Sequence, residues 1–93
     1  MELTQVDGID KGEVVLYALS TCVWCKKTKG LLDELNVKYG YVYVDHLAGD
    51  DQKEAMAEVR KWNPPCSFPT LVFNNTSSIV GFKPDQIKAA LGL

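Results

Sequence analysis

The apolar run from Val14 to Leu19 limits what this chain can fold into more than any other segment. It consists of Val-Val-Leu-Tyr-Ala-Leu without a charged residue, and it begins with β-branched side chains. A continuous apolar run of this length is typical of a β-strand that is buried on both faces. The run therefore predicts an inner strand of a sheet that has helices on both faces.

Helix and strand patterns alternate after this run. Ser20 and Thr21 are suited to cap a helix that begins at Cys22, and the closing helix is expected to start at Pro84. The other predicted elements are a strand at 39–44, a helix from about 51 to 62, and a hairpin formed by 70–73 and 78–81. The order β-α-β-α-β-β-α predicts an α/β fold, with a four-stranded mixed sheet flanked by helices.

Length and composition fit one folded domain. The chain has 93 residues, of which 46% are hydrophobic and 24% charged, and this is ordinary globular composition. We interpret residues 1–12 as a polar N-terminal tail and residues 13–93 as the domain. Ten basic and twelve acidic residues give a net charge of −2, so nucleic acid is not an expected partner.

The chain contains no apolar run long enough to span a membrane. Its N-terminal residues also lack the basic and apolar regions of a signal peptide. We therefore expect a cytoplasmic protein that does not bind membranes, and we expect it to be a monomer.

Two of the three cysteines are spaced as Cys22-Val23-Trp24-Cys25. An odd number of only three cysteines does not suggest a disulfide scaffold, and in a reducing compartment thiols serve metal binding or redox chemistry. At the start of a helix, unpaired N–H groups and the helix dipole favour the thiolate of Cys22. The spacing predicts a redox-active pair in which Cys22 attacks and Cys25 resolves the mixed disulfide.

The sequence leaves alternative interpretations of these cysteines open. One alternative is a zinc site formed by Cys22 and Cys25 with Cys66 and His46, although zinc ribbons normally supply a second close pair of ligands. Cys66 by itself fits either a regulatory thiol or a small half-buried residue. Trp24 lies between the two cysteines, where its ring is expected to cover the disulfide and present a surface to a partner.

Three motifs in order resemble the glutaredoxin family of the thioredoxin fold over about residues 13–92. They are the segments Cys22-Val23-Trp24-Cys25-Lys26-Lys27, Phe68-Pro69-Thr70 and Val80-Gly81-Phe82. The resemblance implies that Cys22 is the nucleophile, that Cys25 is the resolving thiol and that the bond between Phe68 and Pro69 is cis. It also implies a groove in which an extended substrate pairs with the backbone of Phe68. The implied substrate-binding residues are Thr21, Trp24, Phe68, Pro69, Gly81 and Phe82.

Two departures from the usual glutaredoxin pattern bear on the substrate. Leu19 occupies the position of a lysine that typically precedes the first cysteine, and Gly81-Phe82-Lys83-Pro84-Asp85 replaces a Gly-Gly pair followed by an acid. Pro84 has no N–H to donate to a glutathione carboxylate. This run resembles instead the NrdH-redoxins, which are hydrogen donors of ribonucleotide reductase and receive electrons from a flavin-dependent thioredoxin reductase.

The resemblance thus implies protein disulfides as substrates, a reductase as electron donor, and no cofactor beyond the dithiol itself. Trp24 differs from the polar residue that NrdH-redoxins usually have there. A glutathione-dependent glutaredoxin is the alternative, followed by an iron–sulfur or zinc-binding module.

Overall fold

A computed structural model describes all residues from Met1 to Leu93. Five strands form one mixed sheet, and their spatial order is β1-β3-β2-β4-β5. The strands are β1 (Thr4–Val6), β2 (Val14–Ala18), β3 (Tyr39–Tyr43), β4 (Thr70–Phe73) and β5 (Ser77–Val80). The helices are α1 (Val23–Glu34), α2 (Gly49–Trp62) and α3 (Pro84–Ala90), and a single 3₁₀ turn (Val44–His46) follows β3. The α/β class and the element order predicted for the domain are confirmed.

Strand β2 lies in the centre of the sheet, and all five of its residues are buried. It pairs in parallel with β3, where Ala18 lies opposite Tyr43, and antiparallel with β4, where Tyr17 lies opposite Thr70. The apolar run therefore forms a strand covered on both faces, as predicted. Burial of each such valine or leucine side chain contributes about 1.5–3 kcal/mol to folding.

The N-terminal segment is more ordered than a tail. Thr4–Val6 forms β1, which pairs antiparallel with β3 and gives the sheet a fifth strand instead of the predicted four. Three residues are too few for a period-2 pattern to be recognised. The free edge of β3 supplies the hydrogen bonds that order this segment, and that edge exists only in the folded protein.

Two hydrophobic clusters lie on opposite faces of the sheet. One contains Leu32 of α1 and Ile87 of α3, which pack with Leu16, and the other contains Val59 of α2, which packs with Tyr17. Alternate residues of β2 point to opposite faces, so α1 and α3 cover one face and α2 the other. None of the helices is both long and apolar enough to cross a membrane.

Four connections between elements lie together at one end of the sheet, where β2 and β3 finish. Because β2 and β3 run in parallel, the turn after Ala18 lies beside the turn after Tyr43. Strand β4 begins at this same end of the sheet, since its first residue, Thr70, pairs with Tyr17. Strand β5 finishes there, since its last residue, Val80, pairs with Thr70. The predicted dithiol, Pro69 and Gly81 all belong to these connections.

Candidate active site

Cys22 is the N-cap residue of α1, with extended backbone angles (φ −88°, ψ 117°). Its Sγ atom accepts a hydrogen bond from the N–H of Cys25 at 3.2 Å, and this N–H is one of the unpaired donors of the first helical turn. The prediction that Ser20 and Thr21 cap a helix beginning at Cys22 is wrong, because the sulfur is itself the capping acceptor. The helix dipole therefore points its positive end at Cys22 Sγ.

Cys25 lies behind Cys22 and is only 1% exposed. Burial raises the pKa of the Cys25 thiol to about 12, and the side-chain hydrogen bond of this thiol with the Cys22 sulfur and the negative charge of Asp45 act in the same direction. Cys22 is half-buried, so a substrate sulfur can reach it. The accessible sulfur at the helix start is therefore suited to attack, and the buried protonated thiol is suited to the later resolving step.

The peptide bond between Phe68 and Pro69 is cis, as the resemblance implies. Pro69 is fully buried, and its carbonyl oxygen accepts a hydrogen bond from the N–H of Gly81 at 2.9 Å. Gly81 has a positive φ of 89°, which only glycine adopts without strain. This bond joins the start of β4 to the end of β5 beside the dithiol.

An open groove of about 290 Å³ lies beside the dithiol and is lined by Trp24, Phe68, Gly81 and Phe82. The rings of Trp24 and Phe82 stack with their centroids 6.1 Å apart and their planes 24° apart. Trp24 is 55% exposed, and Lys27 Nζ lies 4.7 Å from its ring centroid. Trp24 is therefore a surface residue of the groove and not part of the core.

The structure thus brings most of the predicted substrate-binding residues together. Four of them line the groove, and Pro69 lies directly after Phe68. Thr21 is exposed in the turn before Cys22 and does not line the groove. Their roles in binding substrate remain predictions.

The four residues of the alternative zinc site are not assembled. No group of three or more His, Cys, Asp or Glu side chains is arranged to hold a metal ion. His46 is exposed and packs its ring against Tyr43, with the centroids 5.3 Å apart. Cys66 is half-buried, and its Sγ lies 3.6 Å from the carbonyl oxygen of Pro64. Cys66 therefore matches the interpretation as a small half-buried residue.

Two polar residues that support the site, Asn63 and Asp45, are not among the site residues predicted from the sequence. Asn63 is buried, and its amide donates to the carbonyl oxygen of Ser67 at 2.8 Å and to Thr70 Oγ1 at 3.3 Å. It thereby braces the segment before Pro69. Asp45 accepts hydrogen bonds from both the N–H and the hydroxyl of Ser20.

A dithiol at the start of α1 and a cis-proline just before β4, at the same end of the sheet, define a thioredoxin-fold thiol redox protein. The glutaredoxin family model matches residues 14–77, and the chain belongs to the glutaredoxin family. Members of this family are thiol–disulfide oxidoreductases, and so is this protein.

Similar proteins of known structure or sequence agree with this assignment. The structure of the glutaredoxin from Methanosarcina mazei Go1 is 52% identical and superposes with a TM-score of 0.93, covering 100% of this chain and 90% of that one. Methanosarcina acetivorans methanoredoxin is also 52% identical, with a TM-score of 0.90 over 92% of this chain and 90% of that one. A glutaredoxin-like protein of 8.6 kDa encoded in the rubredoxin operon of Clostridium pasteurianum is 34% identical over 80% of this chain and 91% of its own length.

The similarity to the NrdH-redoxins is a similarity of fold. The NrdH-redoxin from Escherichia coli superposes with a TM-score of 0.63 and is 22% identical. At this level of identity the similarity establishes a shared thioredoxin-like fold.

The raised pKa of Cys25 predicts an alkaline loss of stability that is specific to the reduced protein. The folded state holds this proton up to about pH 12, whereas the unfolded thiol releases it near the ordinary cysteine pKa of 9.0. The contribution is therefore complete below pH 9 and is lost as the pH rises from 9 towards 12. We expect the free energy of unfolding to fall more steeply with pH in the reduced protein than in the disulfide form.

Urea unfolding of both forms across the alkaline range, from about pH 8 to about pH 11, measures this difference. The buried Tyr17 and Tyr39 are common to the two forms, so their ionisation cancels in the comparison. Equal slopes for the reduced and the disulfide forms would contradict the assignment of the raised pKa to Cys25.

Proposed function

We propose that this glutaredoxin reduces disulfides in protein substrates and receives its electrons from a reductase of the thioredoxin-reductase type, and not from glutathione. The observation that carries the proposal is the composition of the groove beside Cys22. Its lining consists of three aromatic side chains and one glycine, Trp24, Phe68, Phe82 and Gly81. Such a surface favours an apolar segment of a protein over a small peptide with two carboxylates.

The proposed reaction transfers two electrons in two exchanges. The Cys22 thiolate attacks one substrate sulfur, a mixed disulfide forms, and the second substrate sulfur leaves as a thiolate. Cys25 then loses its proton to solvent and attacks Cys22 Sγ, which closes the Cys22–Cys25 disulfide and releases the first substrate sulfur as a thiolate. The two substrate thiolates take up protons according to their own pKa values, and the reductase returns two electrons to the protein disulfide.

The backbone donors around the groove also support a protein substrate. The N–H of Gly81 is already bonded to the carbonyl oxygen of Pro69 at 2.9 Å, and Pro84, the first residue of α3, has none. The side chain of Phe82 stacks on Trp24 where glutaredoxins typically have a second glycine. A γ-glutamyl carboxylate would therefore find fewer free donors here than in a typical glutaredoxin.

The surface around the groove indicates the chemistry of the partner. Val23 and Trp24 are 61% and 55% exposed, and the exposed Lys26 and Lys27 follow them on α1. An apolar patch with basic residues beside it matches a partner segment that has an apolar residue near its disulfide and acidic residues nearby. The partner is thus expected to bind more weakly at high salt.

A comparison of electron donors tests the proposal. Initial rates of insulin reduction and of ribonucleotide reductase turnover are measured with NADPH plus thioredoxin reductase, and separately with NADPH, glutathione and glutathione reductase. Cys22→Ser supplies the background rate in each system. We expect the thioredoxin reductase system to support the faster reduction. Faster turnover with glutathione would favour the alternative, a glutathione-dependent glutaredoxin.

A further inference from the structure

Asp45 is bonded to the turn that carries the dithiol, although it lies outside the groove. One carboxylate oxygen accepts the N–H of Ser20 at 2.9 Å, and the other accepts the Ser20 hydroxyl. Two residues further along the chain, the N–H of Cys22 donates to the carbonyl oxygen of Leu19 at 3.2 Å. The turn from Leu19 to Cys22 is therefore held from within by one backbone bond and from outside by the Asp45 carboxylate.

The position of Asp45 follows from the parallel pairing of β2 and β3. Ala18 lies opposite Tyr43 in the last register of this pair, and Ser20 and Asp45 each come two residues later. Gln52 of α2 fixes the 3₁₀ turn that contains Asp45, because its side-chain amide donates to the carbonyl oxygens of Val44 and Leu47 at 3.3 and 3.1 Å. The carboxylate is thus attached to a braced turn and not to a free loop.

The Asp45 carboxylate accepts these bonds in its charged form. The hydrogen bonds from Ser20 lower the pKa of the Asp45 carboxyl, and the neighbouring His46 acts in the same direction, so the group is ionised at neutral pH. A hydrogen bond to a charged acceptor is stronger than one to a neutral acceptor, so ionised Asp45 holds Ser20 more firmly than a neutral side chain would.

We propose that Asp45 is a positioning residue for disulfide exchange, which holds the turn that carries Cys22 through its two hydrogen bonds with Ser20. A nucleophile attacks fastest when it is already held in the geometry of the attack, so a loosened turn is expected to slow the attack of Cys22. The inference rests on the oxidoreductase activity of the family and is independent of which electron donor serves the protein.

The variant Asp45→Ala tests this role, because it removes both acceptors of the Ser20 bonds. Asp45→Asn is the conservative rescue, because it keeps the size of the side chain and an oxygen that accepts the Ser20 N–H. We expect Asp45→Ala to slow the attack of Cys22 on hydroxyethyl disulfide several-fold in single-turnover reactions, and Asp45→Asn to restore most of the rate. The equilibrium of the reduced protein with oxidised dithiothreitol is expected to stay within about twofold of the wild type at about pH 8, because the Cys25 thiol stays protonated there.

The matched control is Asp50→Ala, which removes the same side chain from an exposed position in the first turn of α2. We expect it to leave the rate of attack within about twofold of the wild type, since exposed substitutions away from such bonds have small effects. If Asp45→Ala slows the attack no more than Asp50→Ala does, the proposed role of Asp45 is overturned.

The variant Ser20→Ala tests the same contact from its other end, and it also decides the matter if Asp45→Ala does not fold. It removes the hydroxyl donor but keeps the carboxylate and the backbone bond. We expect a several-fold slower attack of Cys22 on hydroxyethyl disulfide in single-turnover reactions, with the dithiothreitol equilibrium within about twofold of wild type. A wild-type rate in Ser20→Ala would overturn the positioning role.

Discussion

Replacement of Cys22 by serine is expected to reduce disulfide exchange to the uncatalysed rate, whereas Cys25→Ser is expected to leave a stable mixed disulfide with the substrate. Cys22 is half-exposed at the start of α1, and its sulfur accepts the N–H of Cys25 at 3.2 Å. Without this sulfur no attack on the substrate occurs. Without Cys25 the attack proceeds, but no second sulfur lies within reach to release the product.

Intact-protein mass spectrometry and non-reducing gels distinguish the two variants after incubation with a disulfide substrate. Only Cys25→Ser should gain the mass of the bound substrate chain. Cys66→Ser is the matched control, because Cys66 is half-buried and its Sγ faces the carbonyl oxygen of Pro64 instead of the dithiol; we expect it to retain wild-type activity. The assignment of roles fails if alkylation at mildly acidic pH labels Cys25 before Cys22.

Sequence patterns predicted those elements of the fold whose local residue composition reflects how they are buried or where they end. The run Val14–Ala18 is apolar throughout because both of its faces are covered. Helix α2 ends at Trp62, just before Asn63-Pro64-Pro65, because a residue that precedes proline is disfavoured in the α region. Both features depend on neighbouring residues in the chain, so sequence patterns are sufficient to find them.

The parts that were missed depend on contacts between distant segments. Strand β1 has only three residues and is ordered by the edge of β3, more than thirty residues away. The bond between Asp45 and Ser20 joins two turns that are 25 residues apart. The parallel register of β2 and β3 would have indicated this bond, but register cannot be read from either strand alone.

The candidate site likewise combines residues that short motifs predict with contacts that no single motif predicts. Cys22, Cys25 and Pro69 belong to short motifs, and the structure places them together. The capping acceptor of α1 differs from the prediction, because the sequence pattern favours Ser20 or Thr21 and the sulfur of Cys22 takes that role. The stacking of Trp24 on Phe82 joins α1 to the turn after β5, and it gives the groove an aromatic wall that neither motif indicates separately.

The second large expected effect is a low affinity for glutathione. Leu19 replaces the lysine that typically binds a glutathione carboxylate, and Pro84 lacks the N–H of a further donor. The loss of one charge-assisted and one backbone hydrogen bond is expected to cost about 2–4 kcal/mol of binding relative to a typical glutaredoxin. That free energy corresponds to roughly a hundredfold or more in affinity.

The variant Leu19→Lys provides the sharpest measurement, because it restores the missing cation without touching the dithiol. Leu19 is half-buried beside Ser20, so the aliphatic part of a lysine can replace the leucine while its ammonium reaches solvent. We expect KM for glutathione to fall about tenfold in the standard disulfide assay, with the rate of protein disulfide reduction largely retained. Leu93→Lys adds the same charge at an exposed position at the end of the chain and controls for net charge. If wild-type protein already turns over with micromolar glutathione, or if Leu19→Lys and Leu93→Lys behave alike, the missing lysine does not determine specificity and the preference for protein disulfides loses its physical basis.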